Sequence, residues 1–191
     1  TNLTSPTANA NVTLNGTQIV GTNIGFSDDN FWGFANSQAY RADVTSLVPG
    51  NGAYTVANMI KSGVEINGAS LVVFYNDGNT ANDRDVVMFD GNDANFSNPY
   101  DALGWSASLS GINYVSGTAA FVLGVSDGQD FAGLDDPGII LNGTTLIPIG
   151  ENWDGNTLPN AGGGVANGGL WDITTYDVTP WLSPGPNTLN L

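Results

Sequence analysis

The sequence predicts an all-β fold: an antiparallel β-sandwich with about ten strands. Three observations predict it. Short runs rich in Val, Ile, Thr and aromatics recur between clusters of Gly, Asn and Asp. No segment keeps a 3.6-residue apolar period over three turns. Glycine occurs 26 times, while the strong helix formers Lys and Glu are nearly absent.

The strand-like runs, in order, are "NVTLNGTQIV", "QAYRADVTSLV", "AYTVANMI", "GASLVVFYN", "RDVVMFD", "ALGWSASLSG", "TAAFVLGVSD", "GIILNGTTLIPIG", "GLWDITTYDVT" and "NTLNL". Their spacing is that of sandwiches and barrels. "LVVFY" is apolar throughout, which predicts a central strand buried on both faces. Asn142-Gly143 between two apolar arms predicts a hairpin. "LPNAGGGVANGGL" at 158–170 reads as a surface loop, not a phosphate cradle, because neither a lysine nor a helical pattern follows it.

The 191 residues suit one domain, and 41% apolar content suffices for a core. We therefore expect a single sandwich over 1–191. Residues 1–20 would form an N-terminal strand or arm, paired in its own sheet or with a neighbouring molecule. The opening "TNLTSPTANANVTL" has neither a basic start nor an apolar run, and reads as a mature N-terminus rather than a signal peptide.

Charge narrows the function. Eighteen acidic residues face only Arg41, Arg84 and Lys61, giving a net charge of −15. Nucleic acid is an unsuitable partner, because its phosphates need cations. No run approaches the roughly 18 apolar residues of a membrane helix. The chain contains no cysteine and no histidine, so disulfides, thiolate metal sites and a Ser-His-Asp triad cannot be built from it. An acidic, Asn- and Thr-rich, Lys-poor composition predicts an extracellular or cell-surface location.

One pattern occurs twice. "DVTSLVPGNGAYTV" at 43–56 aligns with "DVTPWLSPGPNTLNL" at 177–191. Each reads as a strand end, a single helical turn held by an Asp or Thr side chain, a Pro-Gly reversal and a new strand. The second copy resembles the signature of galactose-binding-like jelly rolls, which include sugar-binding sandwiches attached to glycoside hydrolases, and the resemblance implies an antiparallel β-sandwich of jelly-roll type. The series "ADVTSLV", "GNGAYTV", "GASLVVFYND", "DVVMFDG" and "WDITTYDVTPWL" resembles a domain family of unknown function in bacterial and archaeal surface proteins. That resemblance spans roughly residues 40–191. It implies modular, secreted domains of cell-envelope or fibre-forming proteins.

The densest acidic stretch is "YNDGNTANDRDVVMFDGNDAN", residues 75–95. Calcium takes six to eight oxygens from carboxylates, Asn side chains and carbonyls in loops. Asp77, Asn79, Asp83 and Asp85 would serve one site, and Asp90, Asn92 and Asp93 a second. The strand "VVMF" would separate the two sites by about 13 Å. Asp127, Asp130, Asp135 and Asp136 form another candidate group. Solvated turns, where Asp and Asn sit for backbone reasons, are the alternative.

A sugar site is the second reading, with Trp32 or Trp153 as stacking platform and Asp28 and Asp29 as hydroxyl acceptors. A glycoside hydrolase, with Glu151 as the acid, is the third. Lys61 could be crosslinked to an Asn or Asp side chain with Glu65 as the helper acid, but a snorkelling lysine is the preferred reading. Asn2, Asn11, Asn15, Asn95 and Asn142 head glycosylation sequons and mark surface positions. The expected protein is a non-enzymatic, calcium-stabilised structural or adhesive module of a surface layer, fibre or adhesin. Its partners would be copies of itself, other surface components or glycans.

Overall fold

A computed structural model describes residues 1, 3–27, 36–93, 106–128, 135–157 and 170–191. Among them every regular element is a β-strand or a single 3-10 turn, and every strand pairing is antiparallel. The all-β class predicted from the runs is the class observed. The described residues fall into two compact units, 1–66 with 90–105 and 67–89 with 106–191.

The first unit holds β1 (Asn11–Leu14), β2 (Thr17–Val20), β3 (Thr22–Ser27), β4 (Ser37–Arg41) and β5 (Val56–Ala57). β1 is central in a three-stranded sheet between β2 and β5, and β3 pairs with β4. The run "NVTLNGTQIV" is two strands rather than one. Asn15 (φ 47°) and Gly16 (φ 81°) reverse the chain between them, as a type I′ turn requires. Asn15 also ties this hairpin to β5: its N–H donates to the Thr55 carbonyl at 2.9 Å, and its Oδ1 accepts from the Thr55 N–H at 2.7 Å. Residues 11–14 thus find their partners within their own chain. Ala10 and Leu14 are buried in this unit.

The second unit holds β6 (Ser108–Tyr114), β7 (Ala120–Ser126), β8 (Ile139–Leu141), β9 (Thr144–Ile147), β10 (Trp171–Asp177) and β11 (Gly185–Asn190). They form a four-stranded sheet in the order β6-β11-β8-β9 and a two-stranded ribbon of β7 and β10. The predicted Asn142-Gly143 hairpin joins β8 to β9, with φ of 51° and 78°. Seven residue pairs register β7 against β10, and Phe121 stacks on Tyr176 with ring centroids 6.1 Å apart. Ile139, Leu141, Ile147, Trp153, Val125, Val178 and Leu189 are buried here.

The repeated Asp-Val-Thr pattern is one device at both sites. Asp43 accepts the Thr45 N–H at 2.9 Å and its hydroxyl at 2.7 Å, and Thr45–Leu47 forms a 3-10 turn. Asp177 accepts the Thr179 N–H at 3.0 Å before the 3-10 turn Thr179–Trp181. In the second copy Asn187, 2% exposed, locks the Pro-Gly reversal. Its amide donates to the Ser183 and Gly185 carbonyls at 2.9 and 2.8 Å, and its oxygen accepts from Asn142 at 2.6 Å.

One prediction fails. "GASLVVFYN" and "RDVVMFD" are not strands, and "LVVFY" is not buried. Leu71–Tyr75 and Val86–Phe89 lie outside every described sheet, with their large apolar side chains exposed. β propensity describes fit to a pleated surface and does not create a partner. The ten residues between the runs hold Asp77-Gly78, but only Gly78 takes the positive φ (81°) that a type I′ turn needs at both positions, so no such turn sets a register.

Candidate functional site

The acidic stretch is built from side chains that serve their own backbone. Asn76 Oδ1 accepts the Gly78 N–H at 2.7 Å, Asp77 Oδ1 the Asn79 N–H at 2.9 Å, and Asn79 Oδ1 the Ala81 N–H at 3.1 Å. These are three successive Asx turns. Asn82 adds an amide bond to Asp77 Oδ2 at 3.0 Å. That bond and the Asn79 N–H hold the Asp77 carboxyl below the ordinary aspartate value. Arg84 donates to the Asp83 backbone carbonyl at 2.8 Å. Asp83 and Asp85 are exposed.

The second predicted group is differently occupied. Asp90 receives Arg41 Nη1 at 3.0 and 3.2 Å on its two oxygens. The pair is solvent-accessible and worth at most about 1 kcal/mol. Asn92 donates to Ser37 Oγ at 2.9 Å and sits so close to Gly25 that a Cβ there would lie 2.3 Å from the Asn92 Cβ. Asp93 is exposed. Among the described residues no three acidic side chains gather closely enough to share a metal ion.

The most organised polar site lies in the second unit. Asp172, on the inward face of β10, is 0% exposed. Its Oδ2 accepts the Gly155 N–H at 2.7 Å. Its Oδ1 accepts the Asn156 and Thr157 N–H groups at 3.2 Å each and the Thr157 hydroxyl at 2.9 Å. The fit is tight: a Cβ on Gly128 would stand 2.3 Å from Asp172 Oδ2, and one on Gly155 would stand 2.3 Å from the Gly128 carbonyl oxygen. Gly155 also requires a positive φ, +67°. Nearby, Asp136 Oδ2 accepts the Asn152 and Trp153 N–H groups at 2.8 and 2.9 Å. Two carboxylates thus clamp the loop 152–157 by its main chain and set Trp153 into the core at 1% exposure.

Of the remaining predicted residues, Asp127 has φ 63°, and its N–H donates to the Leu170 carbonyl at 2.7 Å. Asp135 and Glu151 are exposed, as are Lys61 and Glu65. Asp28, Asp29, Trp32 and Asp130 lie outside the described residues. Trp153 is corrected as a sugar platform, because a stacking ring must present a face to solvent and this ring is in the core. A shallow recess of about 240 Å³ occurs in the first unit, lined by Asn11, Val12, Thr13, Gln18 and Asn58 and by no aromatic ring.

Comparison with known protein families, characterised proteins and solved structures found no match. The local chemistry therefore carries the functional reading. Asp172 was missed in the sequence, yet it left a signal. In "WDITTYD" the alternation that points Thr174 and Tyr176 inward also points Asp172 inward. A carboxylate on an inward face must find donors.

Proposed function

We propose that this chain is a non-enzymatic structural or adhesive module of an extracellular assembly, such as a surface layer, fibre or large adhesin, that associates with copies of itself. One observation supports the reading above others: the buried carboxylate is spent on the main chain. Asp172 is saturated by four donors from 155–157. A general acid or base needs a lone pair or proton facing substrate; a carboxylate held this way fixes a loop. The acidic, Lys-poor, cysteine-free composition supports the extracellular placement. Calcium enters this reading as a screening counter-ion for the exposed acids of 77–93, not as a caged ligand.

Sedimentation velocity over a wide concentration range, followed by negative-stain electron microscopy, tests the proposal. Concentration-dependent oligomers or ordered arrays are expected. A strict monomer that binds a glycan array would replace the reading with a carbohydrate-binding module. Glycoside turnover lost in Glu151→Gln would replace it with a hydrolase.

A further inference from the structure

The two apolar runs of the second unit present an unexplained exposed apolar surface among the described residues. Leu71, Val72, Val73, Phe74, Tyr75, Val86, Val87, Met88 and Phe89 are each between 39% and 83% exposed. No backbone hydrogen bond joins either run to a described strand. Isolated exposed apolar residues are ordinary, but nine within nineteen positions are not. We infer that the Leu71–Tyr75 run is the contact between two copies of the chain, which pair through it as antiparallel strands about a two-fold axis. The inference rests on the self-association proposed above and names its surface.

Three features favour a second copy as the occupant. First, the area fits. At roughly 200 Å² for an aromatic residue and about 160 Å² for an aliphatic one, the five residues of the pairing run expose on the order of 530 Å². Two copies together offer about 1,000 Å², the size at which a specific interface begins. Second, the run is complementary to itself. An antiparallel register centred on Val73 sets Val72 opposite Phe74 of the second copy and Leu71 opposite Tyr75, pairs of the aliphatic–aromatic kind that stabilise sheets. Third, charge permits it. At −15, two copies repel almost everywhere, yet residues 66–76 carry no charge. In this register Asp77 faces Ala69, not another acid. A basic partner steered to the acidic turns would find nothing to pair with in this uncharged run.

The test compares wild type with Val73→Asp and with Val20→Asp, a substitution at an exposed position on β2 of the first unit. Sedimentation equilibrium should give a wild-type dimer with a dissociation constant in the micromolar range. Val73→Asp should weaken it about tenfold or more, and Val20→Asp should leave it unchanged. Amide exchange of 71–75 in the wild type should slow as protein concentration rises. A dimer insensitive to Val73→Asp overturns the surface but leaves self-association standing. A wild-type monomer at all concentrations overturns both. Concentration-independent protection of 71–75 in a monomer means the run is covered within its own chain, and also overturns the inference.

Discussion

Asp172→Ala removes the acceptor shared by donors on buried Gly155 and on the exposed residues Asn156 and Thr157. Three backbone N–H groups, of Gly155, Asn156 and Thr157, and the Thr157 hydroxyl lose their partner at once. A hydrogen bond to a charged group contributes about 1.5–3 kcal/mol, and stranding a buried donor costs about 1–3 kcal/mol. The four bonds act as one unit, and two of them are long, so simple addition overstates the loss. One stranded buried donor and the loss of the charge-assisted bonds give an expected cost of about 2–4 kcal/mol. For a chain of this size that lowers the melting temperature by roughly 10 °C. Asp172→Asn should lose less, because its amide oxygen can keep the Oδ1 bonds while its NH₂ faces the Gly155 N–H. Urea melts of wild type, both variants and Thr157→Val, combined as a double-mutant cycle, supply the coupling energy. A loss below about 1 kcal/mol for Asp172→Ala, the level of an unremarkable substitution, would refute the reasoning.

Three further outcomes are expected. Gly68→Ala should destabilise by about 1–3 kcal/mol in thermal melts, since Gly68 has φ +144° and a Cβ there would lie 2.9 Å from the Trp171 ring. Stability should fall on acidification: the Asp43, Asp77 and Asp177 carboxyls sit below the ordinary value of 3.8 because side-chain and backbone donors hold their charged forms. Their contribution is therefore present above that value and lost as pH falls through the depressed folded values. Urea midpoints against pH should show a shallower acid limb in Asp77→Asn, and an unchanged limb would remove Asp77 from the explanation. Finally, calcium should raise the melting temperature no more than equimolar magnesium, because the acids of 77–93 act through screening; a calcium-selective rise would instead locate a dedicated site.

Much of the fold was legible in the residues, and the reasons differ from place to place. The Asn142-Gly143 hairpin could be read because its backbone demands are local: two positive φ values in a row. The same dipeptide at Asn15-Gly16 was overlooked inside an apparent ten-residue strand, although the physics is identical. The Asp-Val-Thr turns were legible for the same reason, since Asp43 and Asp177 reach donors two residues away. The apolar runs at 71–75 and 86–89 were misjudged because pairing is not local. Their composition reports affinity for a sheet, while a partner and a register come from elsewhere in the chain. In the acidic stretch, the Asx chemistry of Asn76, Asp77 and Asn79 is short-range and was available as the alternative to metal binding. The Arg41–Asp90 pair spans 49 positions and left no local sign. The Asp172 site needed both kinds of information, since parity marks the acid as inward but only the folded chain brings Gly128 and loop 152–157 around it.

That crowding binds three distant positions into a single unit of sequence drift. Any side chain at 128 would run into the carboxylate at 172, and any at 155 would run into the carbonyl of 128. A related chain that has replaced either glycine should therefore have shortened or lost the acid as well. Searching for distant kin by the co-occurrence of glycine, glycine and aspartate at these spacings would follow the constraint the fold imposes, where overall identity has faded.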